Sequence, residues 1–153
     1  MKIVATGVRI VLGLVFFVFG LNIFFNFFTT PVPAGDAAQL IALMFSHGWF
    51  KVIGTLEVLG GLLLLSGRLV PLGLTLLGPI LLVIVLFHST LAPAGLAAAL
   101  FWMLMELYLI YAYKASFESV LDPNAKPFAG RSNRTDAVKE DGSEDEVSPR
   151  ESA

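Results

Sequence analysis

The sequence predicts an all-α protein: a four-transmembrane-helix bundle, up-down-up-down, with a short interfacial helix between helices 1 and 2. Three observations carry that reading. Apolar residues make up 56% of the chain and charged residues 14%, with a mean hydropathy of +0.80, whereas a soluble domain carries about 25% charged residues. The net charge is only −2, but most acidic residues follow Lys114, so the apolar part of the chain is nearly free of charge. Finally, four apolar runs each come close to the ~20 residues that cross a hydrocarbon core. They are Ile3–Phe28, Phe50–Ser66, Leu69–His88 and Leu96–Tyr113.

The first run follows Met1-Lys2 as a secretory signal would. It is too long for such a signal, carries Arg9 inside it and leads into Pro31 and Pro33 without a clean cleavage site, so it reads as a retained helix. After it, Gly35-Asp36 begins a short helix that runs to His47 and that Gly48 ends. Its apolar content places it in the membrane interface or over the mouth of the bundle. Gly67-Arg68 is a tight turn, which makes the second and third spans an antiparallel hairpin. Pro71 suits a first helical turn. Pro79, deeper in the third span, lacks a backbone donor, which leaves the Thr75 carbonyl free and predicts a kink. Ser89–Gly95 is a short connection to the fourth span.

Lys2, Arg9, Arg68 and Lys114 fall at one end of this arrangement, and Lys51 alone edges the other. The positive-inside rule then puts both termini in the cytoplasm of a cell with a multi-pass inner-membrane protein. Trp49 and Phe50 at the start of the second span, and Tyr111 and Tyr113 at the close of the fourth, suit interface positions. Residues 1–122 form the bundle on this reading. Residues 123–153 are polar, aperiodic and acidic, and read as a disordered cytoplasmic tail.

Composition also narrows the chemistry. Cysteine is absent, which excludes disulfides, thiol nucleophiles and cysteine-held clusters. His47 and His88 are the only imidazoles, and neither belongs to a ligand-spaced motif, so no metal and no intrinsic cofactor is expected. Nothing resembles a nucleotide site or a hydrolytic constellation, and no nucleic acid is expected as a partner. Four helices without an inverted repeat leave little room for alternating access.

The polar residues inside the spans are the candidates for function: Arg9, Asn22, Asn26, Glu57, His88 and Glu106. A central charge costs about 2.5–3.5 kcal/mol on insertion, while each Leu, Ile, Phe or Val returns about 0.3–0.6, so these helices tolerate them. Gly54, Glu57 and Gly61 share one helical stripe, and Arg9, Gly13, Phe16 and Gly20 share another. Small residues let membrane helices approach closely, so Glu57 is expected to face a neighbouring helix. Counting 1.5 Å per residue places Arg9 and Glu106 at similar depths from one side, where the two could pair and Glu106 would stay ionised. Glu57 is expected near the depth of Asn22, with Asn26 and His88 nearer the outer boundary, and to be the protonatable group. Two readings compete. The charges either fix the register of the bundle or form a site for a proton-linked reaction or a polar head group.

Three stretches carry a family resemblance: "RIVLGLVFFVFGLN" around Arg9, "GTLEVLGGLLLLSGR" with its Gly-x-x-Glu-x-x-Gly-Gly pattern, and "LAPAGLAAALFWMLMELYLIYAY". Together they resemble the DoxX family of small four-helix bacterial membrane proteins, over residues 3–122. The resemblance implies a membrane subunit of an oxidoreductase system, in some members linked to quinone and working beside partner subunits, rather than a standalone enzyme. It implies that Arg9, Glu57 and Glu106 match the family's polar positions. The partners to expect are the lipid bilayer, an oxidoreductase subunit or further copies of the chain. The alternative is a structural or stress-related membrane protein whose buried charges only hold the bundle together.

Overall fold

The computed structural model describes residues 2–29, 31 and 33–117; the tail expected over 123–153 lies outside the described residues. Among the described residues six α-helices follow one another: α1 Lys2–Phe25, α2 Asp36–Ser46, α3 Trp49–Ser66, α4 Val70–Thr90, α5 Leu96–Ala112 and the single turn α6 Lys114–Phe117, with a 3-10 turn Pro93–Gly95 ahead of α5. Four segments are long and apolar enough to cross a membrane: Ile3–Phe25, Trp49–Ser66, Val70–Thr90 and Pro93–Ala112. They are arranged as a ring in which α1 packs on α3, α3 on α4, α4 on α5 and α5 back on α1. The predicted architecture, including the short helix α2 between the first two spans, is the one observed.

Apolar side chains point both ways. Leu12, Phe16, Leu64, Leu74, Leu77, Leu81 and Leu109 fill one core, while Leu14, Leu62, Leu82, Leu86 and Leu104 are exposed. A helix apolar on every face belongs in lipid. Between such helices burial of apolar surface gives no driving force, because lipid tails are as apolar as leucine, so close packing has to hold the bundle together.

Glycines provide that packing between α1 and α3. Gly13 lies against Gly61, and Gly20 against Gly54. Both members of each helix pair are separated by two turns, so one antiparallel register satisfies both contacts. A Cβ added at Gly61 would stand 2.6 Å from the Phe17 backbone nitrogen and 2.7 Å from the Gly13 carbonyl oxygen. One at Gly20 would stand 2.8 Å from the Gly54 carbonyl oxygen. These neighbours are backbone, which cannot turn aside. The stripes read from the sequence are therefore the contact faces.

Helix ends differ from expectation where polar side chains intervene. The first span ends at Phe25, three residues short of the expected Phe28. Asn26 adopts φ +52°, the left-handed conformation that asparagine tolerates best after glycine and that stops a helix. The α3–α4 hairpin turns through Gly67 at φ +69° and Leu69 at φ +54°. Pro79 sits within one continuous helix, Val70–Thr90. Its ring and the side chain of Thr75 are on the exposed side of α4.

Candidate functional site

The six polar residues singled out from the sequence do not form one site. They separate into three groups by what each touches.

Asn22, 8% exposed, closes the C-terminal end of α1. Its Nδ2 donates to the Phe28 carbonyl at 3.0 Å, and its Oδ1 accepts from the Phe28 backbone N–H at 3.0 Å. Both halves of the amide are thus used on the chain leaving the helix, and Asn26 supplies the left-handed turn between them. Asn22 was expected near the depth of Glu57, but its amide is occupied by Phe28. The α1–α3 register also places it roughly 7 Å beyond Glu57 along α1.

His88 organises the corresponding loop at the end of α4. Its Nδ1 lies 2.9 Å from the Ala92 carbonyl oxygen; a carbonyl only accepts, so that nitrogen donates. The ring stands edge-on to Phe87 at 5.2 Å and fills the place a side chain on Gly95 would need. His47 follows α2 as its C-cap. It borders an apolar groove of about 290 Å³ with Leu40, Leu43, Met44 and Trp49. That groove lies at the α2–α3 corner, at the opposite end of α3 from the Gly67 turn, and is separate from the buried charges.

The two glutamates occupy the interior, and Arg9 stands half-buried at its edge. The expected Arg9–Glu106 pair is not formed: neither Glu106 oxygen has a hydrogen-bond partner, and Arg9 Nε has none either. The register of α1 and α3 explains this. Continuing it from Gly13 and Gly61 puts Arg9 level with Leu65, so the first two turns of α1 extend beyond the α3–α4 turn. Counting depth from the start of α1 therefore placed Arg9 too far in. A helical side chain leans toward its own N-terminus, which carries the guanidinium to Gly67, where it occupies the space a Cβ would need. A cation there also complements the negative end of the α3 dipole.

Glu106 is 1% exposed and rests on α4. Its Oε1 would stand 3.3 Å from a Cβ on Gly78, so the bare backbone of Gly78 gives the carboxyl its seat. Glu57, 6% exposed, lies on the α1–α3 interface, its Cβ 2.9 Å from the position of a Cβ on Gly20. The α3–α4 contacts fix its level. Gly60 abuts Leu77, and Gly73 abuts Leu63 and Leu64, so the antiparallel register brings Glu57 to the height of Gly78 and Pro79. Both carboxyls thus lie in one layer, roughly 12–14 Å from the α3–α4 turn. Gly78 and Gly67 were missed as parts of this arrangement. The available signal was a glycine beside a proline in an otherwise leucine-rich span, and a glycine ending the second span at the same end of the bundle as an arginine inside the first.

The DoxX family model matches residues 4–90. The chain belongs to the DoxX family. The match takes in α1 to α4 and with them Arg9, Glu57 and Gly78, while α5 and Glu106 lie beyond it. No curated protein and no solved structure matches the chain. Family membership and four apolar helices make this a DoxX-family membrane protein. Among the described residues no cluster of three or more His, Cys, Asp or Glu is placed to hold a metal.

Proposed function

We propose that this DoxX-family protein is a membrane subunit of a quinone-linked oxidoreductase system. It does no catalysis alone, and Glu57 serves as the group that takes up and releases protons beside a catalytic partner. On this reading the chain lies in a bacterial inner membrane with both termini cytoplasmic, since Arg9 and Arg68 share one end of the bundle with Lys114, which follows α5. One observation carries the proposal. In an apolar interior a polar group that serves only to pin helices is hydrogen-bonded, as Asn22 and His88 are, whereas the layer that holds Glu57 also holds Glu106, whose oxygens have no partner. That is an arrangement suited to binding something mobile. The structural reading, in which buried polar groups only hold the bundle together, is favoured for Asn22, Asn26 and His88 by the loop contacts they make.

The experiment compares membranes carrying wild-type protein and Glu57→Gln at equal expression. Gln keeps the shape and hydrogen-bonding capacity of the side chain and removes its titratable proton. The expected result is an unchanged melting temperature in detergent with quinone-reductase activity of the membranes lowered tenfold or more, a loss of about 1.4 kcal/mol in transition-state stabilisation. Unchanged activity at unchanged stability would return Glu57 to a packing role and defeat the proposal.

A further inference from the structure

We infer that Glu106 is a second proton-binding group, seated on Gly78 and coupled to Glu57 within one layer of the bundle interior.

The carboxyl of Glu106 rests on the backbone of α4 at Gly78. It is enclosed and both oxygens lack a partner. An ionised carboxylate in that position carries a desolvation cost of several kcal/mol with nothing to offset it. A carboxylic acid carries no such charge, and it can give up its proton only when a base or water reaches it. The groups that could influence it are few. From α4 it meets Gly78, with Leu74, Leu77 and Leu81 forming the buried face of that helix and offering no titratable group. His88, the one titratable side chain of α4, lies near its far end and is bonded to Ala92. From α1 the only charge beyond Lys2 is Arg9, drawn away to Gly67. On α5 itself Tyr108 is partly buried. From α3 the titratable group at the same level is Glu57, while Lys51 is exposed near the start of that helix.

Two carboxyls in one low-dielectric layer bind protons as a pair, because the charge left by ionising one raises the cost of ionising the other. The exchange is simple in its atoms. An O–H bond of one carboxylic acid breaks, the proton passes to a carboxylate or to water, and no oxidant or reductant takes part. Gly78 is the positioning residue. At 3.3 Å from its Cβ position the carboxyl has just enough room, so a larger side chain displaces it without altering its chemistry. The inference shares Glu57 with the function proposed above, but its readout is independent of any oxidoreductase activity.

Infrared difference spectroscopy of the full chain in lipid tests it, since the C=O stretch of a protonated carboxyl is separate from that of a carboxylate. Wild-type protein is expected to give a carboxylic-acid band that shifts in D₂O, bleaches reversibly with rising pH and disappears in Glu106→Gln. Glu57→Gln is expected to retain that band and to move the pH at which it bleaches. Gly78→Val is expected to shift the band in frequency while keeping it; melting temperatures show that each variant is folded. If Glu106→Gln removes no acid band, Glu106 is ionised and the inference fails. A band present at every pH at which the protein stays folded would also overturn it, because the proton would not exchange. A bleaching pH unmoved by Glu57→Gln would overturn the coupling, and a band untouched by Gly78→Val would overturn the seat on α4.

Discussion

Valine at Gly61 is expected to destabilise the bundle by about 3 kcal/mol or more, while alanine at Gly7 is expected to leave it unchanged or slightly firmer. Both positions are helical glycines in apolar surroundings, and intrinsic propensity favours the larger residue at each by about 1 kcal/mol for alanine. What separates them is the space beyond. A Cβ on Gly7 meets nothing within 4 Å, whereas one on Gly61 meets the Phe17 nitrogen and the Gly13 carbonyl oxygen, at 2.6 and 2.7 Å. Overpacking against side chains costs about 1–3 kcal/mol because rotamers can give way. Backbone cannot, so α1 and α3 must separate, and the contacts at Gly13, Gly20 and Gly54 loosen together. Reversible unfolding in mixed micelles measures the difference. Equal stability of the two variants would mean that α1 and α3 are not in glycine contact.

That interface was legible in the sequence because it depends on spacing alone. Glycines two turns apart on two apolar helices announce a common face, and Glu57 between Gly54 and Gly61 inherits it. The four spans and α2 were legible for the same reason, since length, apolarity and the glycines at 35, 48 and 67 mark them directly. The pairing of Arg9 was not. It depends on where one helix stands relative to another, and counting from the first apolar residue assumes that all spans begin at one level. The roles of Asn22 and His88 were hidden differently. Each bonds to a backbone group in the loop beyond its helix, and nothing in residue type distinguishes a polar side chain turned inward from one turned back onto its own chain.

The second large effect concerns Glu106, and its sign is opposite to what a buried ion pair would give. Removing one member of a buried pair leaves the other charge uncompensated and destabilises by about 3–5 kcal/mol. Glu106 has no partner to abandon. Leucine has similar bulk, and the surrounding core is already built of leucine at positions 74, 77, 81 and 109. Glu106→Leu is therefore expected to match wild type or to exceed it by about 1–3 kcal/mol, the cost of a buried polar group left without a partner. Glu106→Lys, with a cation in the same enclosed seat, is expected to fold poorly. A Leu variant several kcal/mol less stable than wild type would reveal a partner for the carboxyl.

Glu106 and Arg9 are separate in the folded protein, one enclosed against Gly78 and the other at the end of α3. A double-mutant cycle measures this most directly, combining Arg9→Gln and Glu106→Gln and following reversible unfolding of all four proteins in mixed micelles. Residues without a shared contact change stability additively to within about 0.5 kcal/mol, so the predicted coupling is no larger than that. A coupling energy above about 1.5 kcal/mol, within the range expected of side chains in direct contact, would mean that the two are paired in the folded protein, contrary to the arrangement described.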